Sequence, residues 1–107
     1  MKTAGAVRRS ARRAKAPRQL GEALQQLAKD LGIAKPLRQY EVLTSWEEIV
    51  GEQISKVTKA ERIEDGVLIV RVATAPWRAE LTLRRSEILG KIVSRFGTSA
   101  VREIRFR

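Results

Sequence analysis

The stretch TKAERIEDGVLIVRVA, residues 58–73, decides the fold of this chain. Two runs of residues that favour β structure flank Asp65-Gly66, and both of these residues tolerate the positive φ that a two-residue hairpin turn requires. Counting outward from this turn predicts the cross-strand pairs, which are Ile63 with Leu68, Arg62 with Ile69, and Ala60 with Arg71. Alternation then assigns one face of the hairpin to the core, and that face carries Ile63, Leu68, Val70 and Val72. The other face carries Arg62 and Arg71 together with Val67 and Ile69.

The chain that follows the hairpin predicts one helix and a last strand. Thr74 suits the N-cap of the helix, Pro76 suits its first turn, and Gly97 suits its end. The apolar residues between these points follow a single helical stripe, which consists of Trp77, Leu81, Ile88, Ile92 and Phe96. Residues 101–107 alternate as a strand does, with Ile104 and Phe106 on one side and Glu103, Arg105 and Arg107 on the other.

Two helices are predicted before the hairpin. Four leucines at spacings of four and three form one stripe on the first helix, and Gly32 suits its end; they are Leu20, Leu24, Leu27 and Leu31. Whether this stripe packs on its own domain or on a second copy stays open. Pro36 suits the first turn of the second helix, whose apolar residues are Tyr40, Leu43, Trp46, Ile49 and Val50. Gly51 either ends this helix or interrupts a longer one, and residues 52–57 are ambiguous.

These elements predict the order helix, helix, strand, strand, helix, strand. We therefore expect an α/β (α+β) domain in which helices cover one face of a three-stranded sheet, over residues 19–107. The order of the strands within the sheet stays open.

Positive charge is concentrated at the start of the chain. The formal net charge is +10, from 22 lysines and arginines against 12 acidic residues. Residues 1–18 contribute +7 of this charge, contain no acid and offer no apolar face, so we expect a disordered basic arm. Such an arm either only aids solubility or binds a polyanion, and we favour binding to the phosphates of nucleic acid.

The residues that most enzymes and metal sites use are scarce. The chain has no cysteine and no histidine, which excludes a thiol nucleophile and thiolate metal ligands and removes the commonest general base and the commonest metal ligand. The carboxylate pairs Glu47-Glu48 and Glu61/Glu64 lie among basic residues, where salt bridges explain them. We expect no enzyme, no cofactor, no metal and no small-molecule substrate. Without a long apolar run or a signal peptide, we expect a cytoplasmic, nucleoid-associated protein that contacts no membrane.

The candidate nucleic-acid ligands are lysines and arginines, which hold phosphates without reading sequence. Those of the arm are Lys2, Arg8, Arg9, Arg12, Arg13, Lys15 and Arg18. Those near the hairpin are Lys56, Lys59, Arg62 and Arg71, and those of the third helix are Arg78, Arg84 and Arg85. Trp46 and Trp77 are candidates for a partner contact. The apolar stripe of the second helix favours a core position for Trp46, whereas core packing and a partner contact are equally expected for Trp77.

Three short elements, taken in order and spacing, resemble the DciA-type proteins, which are bacterial adaptors for the replicative helicase. They are Trp46-x-x-Ile49-Val50-Gly51, then Asp65-Gly66-Val67-Leu68-Ile69-Val70, then Trp77-x-x-Glu80-Leu81 with Ile88-Leu89 downstream. The resemblance covers residues 20–107. It implies a KH-like domain that binds DNA, single-stranded or at a junction, contacts a DnaB-type helicase and promotes its loading on single strands.

Two features of the family are not carried over. RNA-binding KH domains use a Gly-x-x-Gly loop, and this sequence has none. Many members carry a disordered tail after the domain, and helicase contact by such a tail is not carried over to this chain. We therefore expect the folded domain or the arm to make that contact. The alternative function is a general RNA- or ribosome-associated binding module, which the charge permits equally well.

Overall fold

A computed structural model describes residues 17–107. Backbone contacts divide the chain after Ala34 into two units, the second of which is Lys35–Arg107. The boundary predicted between a basic arm and the domain, at residues 18–19, stays a prediction. No helix within the described residues is both long and apolar enough to cross a membrane.

The first unit contains helix α1, Pro17–Leu31. Gly32 has a φ of +74°, its amide donates to the Lys29 carbonyl at 3.1 Å, and the amide of Ile33 donates to the Ala28 carbonyl at 2.9 Å. These two bonds form a Schellman motif, which confirms the predicted glycine end of the helix. The four striped leucines are all more than half exposed, at 53% for Leu20 and Leu24, 52% for Leu27 and 63% for Leu31.

The second predicted helix is divided into shorter pieces. The structure has α2 (Ala34–Thr44), α3 (Trp46–Val50) and α4 (Glu52–Ser55). The single helix predicted through Val50 is wrong because Ser45 leaves the helical conformation, with φ −102° and ψ 11°. No glycine or proline marks this break in the sequence. Gly51 ends α3, and α4 accounts for most of the residues that were ambiguous.

The sheet consists of β1 (Thr58–Glu64), β2 (Val67–Val72) and β3 (Glu103–Phe106), in that spatial order. The central strand β2 is antiparallel to β1 and parallel to β3. Asp65 and Gly66 have φ values of 51° and 78°, as a type I′ turn requires. The predicted hairpin is therefore confirmed, and so are the pairs of Ile63 with Leu68 and of Arg62 with Ile69.

The predicted pair of Ala60 with Arg71 is wrong, because β1 contains a bulge. Ala60 lies opposite Val70, and Lys59 lies opposite Arg71, so that Glu61 is the extra residue. Without the bulge, Glu61 would lie opposite Val70 and point into the core, where an unpaired carboxylate is costly. The bulge places Ala60 there instead and frees Glu61 for the other face.

The third predicted helix is also two helices, α5 (Ala75–Leu83) and α6 (Arg85–Phe96). The break lies at Arg84, which has φ −95° and ψ 6°. Two residues earlier, the hydroxyl of Thr82 donates to the Arg78 carbonyl at 2.8 Å, a bond that often bends helices. The predicted cap is confirmed, since the Trp77 amide donates to the Thr74 hydroxyl at 3.3 Å.

The core of the second unit lies between one face of the sheet and its helices. The side chains that are essentially inaccessible come from both layers and include Val42, Leu68, Val70, Leu81, Ile92, Val101 and Ile104. No charged side chain is buried among the described residues. This arrangement confirms the α+β class, with helices covering one face of a three-stranded sheet.

Candidate nucleic-acid interface

Most of the basic arm lies outside the described residues. The predicted ligands Lys2, Arg8, Arg9, Arg12, Arg13 and Lys15 all precede the first of these residues. Arg18 is exposed in the first turn of α1. In the second unit, the basic residues predicted near the hairpin and on the third helix lie in two groups on opposite sides of the sheet.

The first group lies on the sheet face that points away from the core, which we call the outer face. Here one row of cations crosses all three strands. Lys59 lies opposite Arg71, and Arg107 flanks Arg71 on the other side, because its amide donates to the Val70 carbonyl at 2.9 Å and its carbonyl accepts from the Val72 amide at 2.7 Å. Neighbouring strands are about 4.8 Å apart, so this row places three positive side chains within about 10 Å.

A second row lies beside the first on the outer face. Arg62 of β1 and Arg105 of β3 flank Ile69 of the central strand. Ile69 is only 5% exposed, and the two arginines on either side of it are about half exposed or more. The stems of long basic side chains can cover apolar surface while the charged groups stay in water. The predicted placement of Arg62, Arg71, Val67 and Ile69 on one face is thus confirmed.

Glu61, the bulge residue, lies among the arginines of this face. Its Oε2 is 3.5 Å from Arg71 Nε, and its Oε1 is 3.9 Å from an Nη atom of both Arg62 and Arg107. The Glu61 side chain is only 19% exposed, and its Oε1 has no hydrogen-bond partner. The prediction that Glu61 is a salt-bridge partner is confirmed, although its position between three arginines was not foreseen.

A shallow depression continues the outer face at the open end of the hairpin. It has a volume of about 210 Å³ and is lined by Lys56, Val57, Thr58, Lys59, Arg71 and Ala73. Lys56 pairs with Glu52 at 3.2 Å across the exposed surface. Among the described residues, no carboxylate lies within 4 Å of the Lys59 ammonium group. Three of the four basic residues predicted near the hairpin thus line one depression, and Arg62 lies beside it on the same face.

The second group, from α5 and α6, faces away from this surface. These helices pack on the core face of the sheet through residues such as Leu81 and Ile88. Arg84 pairs with Glu80 at 3.0 Å, Arg85 is exposed, and the Nε of Arg78 is buried without a hydrogen-bond partner. The structure therefore does not bring Arg78, Arg84 and Arg85 together with the hairpin residues into one site.

The two tryptophans differ in their surroundings. Trp46 is 6% exposed in the core, and its indole N–H donates to Thr58 Oγ1 at 2.9 Å. This burial leaves Trp46 almost no surface for the partner contact that was one of its two predicted roles. Trp77 is partly buried against the core and lines a depression of about 180 Å³ with Pro76 and Glu80. Trp77 thus has both a packed and an accessible side.

Sequence reasoning missed two residues of the outer face, Arg105 and Arg107. Alternation assigned both to the polar side of β3, but the strand order was open, so nothing placed them beside Arg71. Arg102 has a different role: its Nε donates to the Asp65 carbonyl at 2.9 Å, and its side chain packs over Gly66. Within the described residues there is no cluster of three or more carboxylates that would hold a metal ion.

Comparison with known proteins relates the chain to one family. A family model described as "Dna[CI] antecedent, DciA" matches residues 19–106. A UPF0232 protein of Mycobacterium tuberculosis is 32% identical over 89 residues, which are 83% of this chain and 48% of that protein. UPF0232 proteins of Rhodococcus jostii (29% identity, 83% of this chain, 47% of that protein) and Mycolicibacterium smegmatis (31%, 82% and 45%) are also similar. The chain spans about half the length of the curated relatives that it matches.

Proposed function

Because the chain belongs to the DciA family, we propose that it is a non-catalytic bacterial adaptor that binds DNA, contacts a DnaB-type replicative helicase and promotes its loading on single-stranded DNA. The match to the family model over residues 19–106 carries this proposal. The charge of +10 and the basic outer face support the DNA-binding part. We place this activity in the cytoplasm, at the nucleoid.

The basic arm binds the phosphates of DNA. Each phosphate that a lysine or arginine neutralises releases counterions, so the affinity falls as salt rises. If about six phosphates are neutralised, the logarithm of the binding constant for duplex DNA falls with the logarithm of salt concentration at a slope of about −5. Replacing Arg8, Arg9, Arg12 and Arg13 with glutamine lowers the magnitude of this slope by about 3 to 4.

Fluorescence anisotropy with a labelled oligonucleotide at several salt concentrations measures this slope. A wild-type affinity that does not depend on salt, or an unchanged slope after the four substitutions, contradicts the proposed role of the arm. The same titrations compare DNA with RNA. A strong preference for structured RNA over single-stranded or tailed DNA favours the alternative, an RNA- or ribosome-associated module.

For the helicase contact, the second unit offers a partly exposed aromatic side chain. Trp77 is the aromatic candidate in the folded unit because its accessible side lines a depression at the start of α5. Large aromatic side chains with one exposed side are common in protein contacts. A Trp77→Ala variant would weaken the helicase complex, whereas Lys91→Gln on α6 serves as a surface control.

Two measurements test the helicase role directly. Pull-down with purified DnaB-type helicase detects the complex, and its absence at micromolar concentrations rejects the contact. A loading assay on single strands coated with binding protein then compares unwinding with and without this protein. Equal unwinding rates in the two conditions reject the loading function even if a complex forms.

A further inference from the structure

We propose that the outer face of the sheet binds the phosphodiester backbone of DNA through Lys59, Arg71, Arg105 and Arg107, and that Glu61 is an internal anion that competes with this backbone. The inference deepens the proposed function and rests on its DNA-binding part. It adds a binding surface on the second unit to the residues of the arm, and it gives a role to Glu61, which is less exposed than Glu103 and Glu64 on that surface.

The outer face retains repulsion between like charges. Lys59 and Arg71 lie opposite each other on adjacent strands, and Arg107, directly after β3, flanks Arg71 on its other side. Like charges directly opposite each other destabilise a sheet. Neutral side chains in this row would remove that cost. A row of cations that lowers the stability of the free protein is expected where an anion binds, because functional sites often carry such a cost.

The outer face carries an excess of positive charge. The outer face carries five cations, Lys59, Arg62, Arg71, Arg105 and Arg107, and three carboxylates, Glu61, Glu64 and Glu103. Arg62 Nε binds Glu64 at 2.6 Å, and an Nη atom of Arg105 lies 3.5 Å from Glu103. Charge complementarity therefore favours a negative partner on this surface.

The arginines around Glu61 bind its carboxylate only weakly. The three distances to its carboxylate are 3.5 to 3.9 Å, longer than a charge-assisted hydrogen bond of about 2.8 Å. An arginine has five N–H donors in a planar fork that suits phosphate. Arg71 and Arg107 thus keep most of their donors for a ligand, although Glu61 offsets part of their charge.

A phosphodiester backbone fits this arrangement better than one isolated anion. The cations form two neighbouring rows on the outer face, and Lys56 extends them into the depression at the end of the hairpin. A polymer with regularly repeated negative charge can contact both rows and the depression together. An acidic protein segment is the other class of partner, and the experiment below includes it.

The test measures DNA binding by the full chain and four single variants, by fluorescence anisotropy at several salt concentrations. Arg71→Gln lowers the affinity about three- to tenfold at low salt and makes the salt dependence shallower by about one counterion. Arg105→Gln has an effect in the same direction. Glu61→Gln raises the affinity about three- to tenfold, because an uncharged amide no longer competes with phosphate.

Lys91→Gln is the matched control for net charge. Lys91 is exposed on α6, which packs on the opposite face of the sheet, so this variant changes the affinity less than twofold. If Arg71→Gln and Lys91→Gln bind DNA equally, the surface is not a DNA site. If Glu61→Gln binds more weakly or unchanged, the competing role is wrong. Circular dichroism and urea unfolding check that each variant is folded.

A polyglutamate peptide tests the other class of partner on the same variants. If Arg71→Gln weakens binding of the peptide but leaves DNA binding unchanged, the inference is overturned, and an acidic protein segment is the partner of this surface. The helicase pull-down separates this inference from the proposed function. If no helicase complex forms but Arg71→Gln still weakens DNA binding, only the adaptor role fails. If the helicase complex forms and Arg71→Gln binds DNA as tightly as the wild type, only this inference fails.

Discussion

The replacement Thr58→Val tests how the core is joined to the first strand. The Thr58 hydroxyl accepts a hydrogen bond from the Trp46 indole N–H at 2.9 Å and donates one to the Ile54 carbonyl at 2.7 Å. It therefore links α3, α4 and β1 in a region where Trp46 is 6% exposed. Valine has nearly the same shape and is equally suited to a strand, so the change removes these two bonds and little else.

The expected loss of stability depends on whether each polar group that loses its hydrogen bond to Thr58 has another partner. The Ile54 carbonyl keeps a second donor, the Val57 amide at 3.1 Å, so its loss costs little. Among the described residues, Thr58 is the one hydrogen-bond partner of the Trp46 indole N–H, and a buried donor left without an acceptor costs about 1–3 kcal/mol. We expect Thr58→Val to lower the free energy of unfolding by about 2 kcal/mol, or the Tm by roughly 8–15 °C.

Urea unfolding followed by far-UV circular dichroism measures this change. Thr58→Ser keeps the hydroxyl and serves as the control, with an expected cost of about 1 kcal/mol or less. In a Trp46→Phe background, which has no indole N–H, Thr58→Val should cost at least about 1 kcal/mol less than in the wild type. A cost below about 0.5 kcal/mol in the wild type, or the same cost in both backgrounds, would refute the reasoning.

Three further substitutions probe the turn, a helix interior and a helix cap, each by urea unfolding. Gly66→Ala should cost about 1–2 kcal/mol, because Gly66 has a φ of +78° and a new Cβ would lie 3.0 Å from Arg102 Cγ; an unchanged midpoint would contradict this. Gly90→Ala should stabilise α6 by up to about 1 kcal/mol, since nothing lies within 4 Å of the new methyl group, and destabilisation would count against it. Thr74→Ala should cost about 1 kcal/mol by removing the acceptor of the Trp77 amide, whereas Thr74→Ser should be nearly neutral.

The sequence was most informative where local chemistry determines the backbone. Asp65-Gly66 identified a type I′ turn, Gly32 identified the end of α1, and Thr74 identified the cap of α5. In each case one or two residues of a special type decide the conformation, whatever packs around them. The apolar stripes likewise identified core residues, such as Leu81 and Ile92, through their periodicity.

The sequence was least informative where packing decides. The helix breaks at Ser45 and Arg84 carry no glycine or proline, so periodicity continued through them. The bulge at Glu61 also follows from packing. The sequence did contain a signal for it, because a regular register without the bulge would have pointed the Glu61 carboxylate into the core. The outer face could not be predicted from the sequence, because the strand order was open. Only that order shows that Arg107 lies beside Arg71, on the side away from Lys59.

The bulge in β1 also affects how the protein behaves at high concentration. β1 and β3 are the two edges of the sheet, and exposed edges invite pairing with strands of other molecules. Glu61 interrupts the regular ladder of β1, and Lys59 and Arg62 place charges along the same strand, while β3 spans only Glu103–Phe106. Irregularity, charge and short length all oppose the addition of a foreign strand. The sheet is therefore protected against aggregation by the same residues that give it a charged surface.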